Sequence, residues 1–147
     1  MIAHFEELER KGYTIINQAL SGEFIEKIIQ PLEDAFSTHR AIQQKNNVEI
    51  SSNGVALHIL ASNPELIDVL DELNRLGIIK GLTSNYFKGN CILNSMSALS
   101  TLPNTNNFAT FVHRDIRIYV PTMNIMLNML IMLDDFTEEN GATLLLP

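Results

Sequence analysis

His113 and Asp115 stand two residues apart in Phe111-Val112-His113-Arg114-Asp115. On an extended chain, positions i and i+2 project to the same face, so an imidazole nitrogen and a carboxylate oxygen can meet at one cation while Arg114 points the other way. A neutral imidazole and a carboxylate, completed by a second His, form the facial set that holds non-haem iron(II) and leaves about three coordination positions open for a co-substrate and dioxygen. The triplet alone is a weak signal. With four His and six Asp in 147 residues, His-x-Asp arises by chance on the order of 0.16 times, and a surface ion pair or a strand-end His explains it without chemistry.

Other polar groups compete for a role. Asn128 interrupts the apolar run from Ile125 to Leu133. A buried carboxamide there needs partners or costs ~1–3 kcal/mol, so it either bonds neighbouring backbone or faces the cavity that holds His113 and Asp115. Which face it takes depends on strand register. Asp134, Asp135, Glu138 and Glu139 invite a metal assignment but read more simply as a solvated turn, because Asn140-Gly141 suits positive φ angles. His4 and His39 fall on expected helices, and His58, between Leu57 and Ile59, reads as a core or rim residue. Arg117 could reach a carboxylate, with a surface role equally open.

The elements that must position these groups follow from apolar spacing. Phe5 and Leu8 among charged neighbours give a helix over residues 2–11, closed by Gly12. Tyr13 to Ile16 is rich in β-formers and reads as a strand. Ser21 offers an N-cap to a helix with Phe24, Ile28, Leu32 and Phe36 every four residues, in which Pro31 is expected to kink or divide the pattern. Residues 43–54 turn polar and read as a loop. Asn63 and Pro64 start a further helix, with Leu66, Ile67, Leu70, Leu73 and Leu76 as its buried stripe and Gly77 as its end. Beyond Gly77 the short apolar groups broken by Gly, Asn and Ser predict strands, ending near Pro103. Asn124 to Leu133 is too apolar for a half-exposed strand, so a central strand covered on both sides is expected, followed by a hairpin into Thr143–Leu146. Helices first and strands afterwards make an α+β order.

Composition bounds the rest. At 147 residues and 46% hydrophobic, the chain suits one domain with a sizeable core. The formal charge of −7, with no basic block, argues against nucleic acid or an anionic membrane as partner. No secretory signal is visible, and the apolar run is under half of the roughly 20 residues a spanning helix needs. A lone Cys91 cannot form an intramolecular disulfide. A soluble, cytoplasmic protein is expected.

The stretch from Asn128 to Pro147, with its apolar strand, Thr137-Glu138-Glu139-Asn140-Gly141 turn and second strand, resembles the hairpin of the phytanoyl-CoA dioxygenase family, with His-x-Asp at the family's distance before it. Gly12 to Ile16 and Leu20-Ser21 resemble the family's opening strand and helix. The resemblance implies a double-stranded β-helix (jelly-roll barrel) with N-terminal helices packed on it, and hydroxylation of an aliphatic carbon of a small-molecule substrate with iron(II), 2-oxoglutarate and dioxygen. By resemblance, His113 and Asp115 are the first two iron ligands, and Asn94 and Asn128 contact 2-oxoglutarate. The family's second His ligand and its 2-oxoglutarate-binding Arg lie beyond the position where this chain stops, at Pro147. The strands legible after Leu82 are also too few to close a barrel of roughly eight. Residues 1–147 thus read as the N-terminal portion of such an enzyme, inactive by itself.

The competing expectation is a non-catalytic module: a partial β-helix that binds a small molecule or a protein partner and never completes a metal triad. It predicts an exposed sheet edge and self-association. The substrate is not named by the sequence. An acyl-CoA would want cationic groups that a charge of −7 does not favour, and a small polar or amphiphilic metabolite is the neutral expectation.

Overall fold

Helix α1 (Ile2–Lys11) stops where its sequence says it must: Gly12 takes a left-handed φ of 81° and its N–H closes on the Leu8 carbonyl at 2.8 Å. Only glycine adopts that conformation without a Cβ penalty. The computed structural model describes residues 1–48, 54–100, 112–116 and 118–145. Packing gathers the chain into two compact units, one of Met1–Ser21, Leu70–Ile92 and Ile116–Pro147, the other of Gly22–Val69 and Leu93–Asp115.

In the first unit, the strand expected over Tyr13–Ile16 does not form. Thr14 instead folds back on α1. Its hydroxyl donates to Glu7 Oε2 at 2.7 Å and lies 2.9 Å from His4 Nδ1, while Lys11 Nζ holds Glu7 Oε1 at 2.7 Å. Since the hydroxyl proton goes to Glu7, the His4 contact is an N–H donated by Nδ1. Side-chain bonds thus do for this segment what a sheet partner would have done.

The region after Gly77, expected as strands, begins with a helix, α4 (Ile78–Phe87), that packs on α1. Ile78 and Leu82 are its buried residues, one turn apart. Gly81 and Asn85, which read as breakers, are accommodated: the Gly81 N–H reaches the Gly77 carbonyl at 3.0 Å, and Asn85 Nδ2 donates back to the Gly81 carbonyl at 3.0 Å. Met1 occupies the space a Gly81 side chain would fill, with its Cγ 2.8 Å from where a Cβ would stand. Tyr86 then grips the later chain. Its hydroxyl donates to the Met126 carbonyl at 3.3 Å, and Asn124 Nδ2 donates to the Tyr86 carbonyl at 2.8 Å.

The central strand expected over residues 124–133 is not formed; these residues run without a strand partner. Nor are they covered on both faces, because Ile125, Met129, Leu130 and Met132 are exposed. A strand exists through its neighbour's backbone, and the apolar run alone does not supply one. The hairpin expected into Thr143–Leu146 does not form among the described residues, and only Gly141 of the Asn140-Gly141 pair takes a positive φ. Glu138–Asn140 form one 3-10 turn with a reciprocal cap, the Thr137 N–H donating to Asn140 Oδ1 at 2.8 Å, and Gly141 takes φ 89°. Asn140 Nδ2 also donates to the Asp135 carbonyl.

In the second unit, α2 (Gly22–Lys45) is one helix that Pro31 does not divide. It extends past Gln43 into the expected loop, whose residues 49–53 lie outside the described residues. Ile28 and Ala35 are buried on it, whereas Ile29 is exposed. Strand β1 (Val55–Ala56) pairs antiparallel with β2 (Ala98–Leu99), in register Val55 with Leu99 and Ala56 with Ala98. Ser100 N–H to the Gly54 carbonyl at 2.6 Å and Ile59 N–H to the Met96 carbonyl at 3.0 Å extend the clamp on either side.

Pro64–Leu66 form a 3-10 turn leading into α3 (Ile67–Arg75), which carries the chain from one unit to the other. Asn63 does not cap with its side chain. Its Nδ2 reaches Glu65 Oε1 at 3.4 Å, and its buried Oδ1 has no hydrogen-bond partner among the described residues. The stripe actually buried is Leu66, Val69 and Leu73; Ile67 and Leu76, expected in it, are exposed. Lys27 of α2 is 2.6 Å from Asp68 of α3, an exposed ion pair between the two helices.

The described architecture is therefore mixed helix and a small two-stranded antiparallel sheet that does not close, compatible with the expected α+β class. The expected barrel is not among the described residues. No helix among them is long and apolar enough to cross a membrane.

Candidate metal centre

His113 and Asp115 do come together, though not on a strand: residues 112–116 are irregular. His113 Nε2 lies 3.2 Å from Asp115 Oδ1, with the two side chains 45% and 54% exposed. Two donors each about 2.1 Å from one cation and at right angles stand about 3.0 Å apart. The observed separation matches that spacing within the usual tolerance of about 0.2 Å for a metal site. An imidazole nitrogen and a carboxylate oxygen are also the donor types that suit iron(II). The residues present therefore fit two adjacent positions on such an ion. The same distance serves as an ion pair when Nε2 carries a proton, and a cation would replace that proton.

A third donor is not in place. Among the described residues, no group of three or more His, Cys, Asp and Glu side chains is arranged to hold a metal ion. His4 and His39 sit on α1 and α2, as expected; His4 is engaged with Thr14, and His39 Nδ1 is buried without a hydrogen-bond partner among the described residues. Arg117 lies outside the described residues.

Asn94 lines a recess of about 200 Å³ in the second unit. One wall is His58, Leu60 and Ala61; the other runs from Leu93 to Met96. Asn128 belongs to the first unit and is exposed, which corrects its expected burial within a covered strand. An exposed carboxamide keeps its solvation and carries no burial cost. Asp134, Asp135, Glu138 and Glu139 are all exposed, the solvated turn that their sequence suggested. The Glu139 carboxyl is held below the usual carboxylate range by its own backbone N–H and by the Thr137 hydroxyl.

What the sequence missed is the recess. His58 was legible only as a core or rim residue, and Ser95 not at all. The available signal was the mixed run Leu93-Asn94-Ser95-Met96-Ser97, in which polar and apolar residues stand side by side.

Fold and site together define a mixed helix-and-sheet protein with two donors at the spacing of a cation's adjacent ligands. The model of the phytanoyl-CoA dioxygenase (PhyH) family matches residues 8–147, and the chain belongs to that family. Its members are generally iron(II)- and 2-oxoglutarate-dependent dioxygenases. No curated protein and no solved structure matches the chain significantly.

Proposed function

We propose that this protein hydroxylates an aliphatic carbon of a small molecule on a double-stranded β-helix scaffold, using iron(II), 2-oxoglutarate and dioxygen. The observation that carries the reading is the 3.2 Å pairing of His113 Nε2 with Asp115 Oδ1 in a chain of this family. When bound, iron(II) with 2-oxoglutarate supplies the two-electron oxidation that places one atom of dioxygen into a C–H bond, with 2-oxoglutarate leaving as succinate and carbon dioxide.

The chain's own residues do the positioning. His113 Nε2 and Asp115 Oδ1, 3.2 Å apart, are the two donor atoms that would hold the ion. Both side chains are about half exposed. Asn94 and Asn128 are the proposed amide contacts to 2-oxoglutarate.

Anaerobic addition of iron(II) and 2-oxoglutarate to the natural protein is expected to produce a weak visible charge-transfer band. His113→Ala is expected to remove it. An intact, folded protein that shows no band contradicts the proposal.

A further inference from the structure

Tyr86 holds the later chain at two points, and the second of them lies two residues before Asn128. Its carbonyl accepts from Asn124 Nδ2 at 2.8 Å, and its hydroxyl donates to the Met126 carbonyl at 3.3 Å. The hold is anchored on packed structure. Tyr86 stands one turn after Leu82 and two after Ile78, the buried residues of α4, and α4 packs on α1. The Phe87 ring meets the Tyr86 ring with centroids 5.0 Å apart and planes at 86°, an edge-to-face contact that favours one orientation of the phenol.

Residues 124–133 have no strand partner among the described residues. The two bonds to Tyr86 therefore tie the first residues of this run to a helix where sheet pairing does not. A residue of extended chain spans at most about 3.6 Å, so Asn128 stays within about 7 Å of the Met126 anchor. Asn128 is exposed, and its carboxamide is the one proposed above to contact 2-oxoglutarate. Such a contact is sensitive to displacements of about 1 Å, which the loss of an anchor two residues away permits.

We propose that Tyr86 and Asn124 are positioning residues for 2-oxoglutarate, acting by fixing the stretch of chain that presents Asn128. This role rests on the oxygenase reading above and on its assignment of Asn128. The pair governs co-substrate affinity and leaves the chemical step alone, so KM for 2-oxoglutarate is the quantity it moves.

The test is an anaerobic titration of the natural protein with 2-oxoglutarate at saturating iron(II), read by the charge-transfer band. Tyr86→Phe keeps the ring and removes only the hydroxyl. It is expected to raise the 2-oxoglutarate midpoint about threefold, and Asn124→Ala about fivefold, the scale of one neutral hydrogen bond, each at full band amplitude. Succinate release at saturating 2-oxoglutarate should stay within about twofold of the unaltered protein. Asn128→Ala should raise the midpoint as well, and adding Tyr86→Phe or Asn124→Ala to it should raise it no further, because both act through Asn128. In the metal-free protein, the NMR signal of the Asn128 side-chain amide should shift in Tyr86→Phe and Asn124→Ala, with the signals of the buried Ala35 and Ala56 unmoved as the check on folding. A midpoint unmoved by both variants, or raised as much by them in the Asn128→Ala background, overturns the proposal. A natural protein without the band defeats the oxygenase reading and this role with it, whereas a normal band with an unmoved midpoint defeats this role alone.

Discussion

At the residue scale, what was legible was local chemistry. Thr137, Asn140 and Gly141 form their turn from the side chains and φ angles that their types prefer, and nothing distant is needed. Thr137→Ala is expected to cost about 1 kcal/mol, since it removes one half of the reciprocal cap. Gly141→Ala should cost of order 1 kcal/mol more through its left-handed φ. Chemical denaturation of the single and double variants checks both; costs that simply vanish would mean the turn contributes nothing to the fold. The His113 and Asp115 meeting was readable from a two-residue spacing, although the backbone there is not the strand that the spacing suggested. Asn128 was misread for the opposite reason. Burial is decided by partners far away in sequence, and an apolar neighbourhood in one dimension does not supply them.

At the element scale, helix ends and stripes were largely readable, whereas strand assignments failed wherever they depended on an unseen partner. Gly12 and α1 follow from sequence, and Leu66 and Leu73 are buried as expected, with Val69 joining them and Ile67 and Leu76 exposed. Residues 78–87 were misread because Gly81 and Asn85 suggested breaks, yet Ile78 and Leu82 already carried helical spacing. Leu66 is fully buried, and Leu66→Ala should cost about 2–5 kcal/mol with a visible loss of thermal midpoint.

The α1 clip makes a pH prediction at the same scale. The Lys11 ammonium and, after it, the Thr14 hydroxyl hold the Glu7 carboxyl below its ordinary value of 4.5. The folded form therefore releases that proton more readily than the unfolded chain does, so the clip's contribution is complete above about pH 4.5 and is lost as pH falls through the lowered folded value. Thermal midpoints by circular dichroism should be flat in this contribution from pH 7 to 5 and fall below that. Glu7→Gln should flatten the acid limb, and an unchanged limb would remove Glu7 from the account.

At the scale of the whole molecule, the notable fact is apolar surface left in water. Leu130 is 62% and Leu144 81% exposed, and Ile118, Tyr119 and Met123 join them. Large apolar side chains left in water favour association, and a net charge of −7 opposes it only at low salt, where repulsion is unscreened. Light scattering on residues 1–147 is expected to show concentration-dependent self-association that rises with salt and is reduced by Leu130→Lys with Leu144→Lys. A monodisperse monomer at all salt concentrations would contradict this. The α+β mixture was legible at this scale from the order of apolar patterns. The barrel was not reached, because its strands need one another and the described residues supply a single two-stranded pairing. The central claim is that His113 and Asp115 are adjacent ligands of one cation. Titrating cobalt(II) into residues 1–147 while recording the NMR spectrum tests it most directly. The account predicts saturable paramagnetic shifts centred on residues 112–116 at sub-millimolar metal, abolished by His113→Ala and by Asp115→Ala. Shifts centred elsewhere, or persisting in both variants, would contradict it.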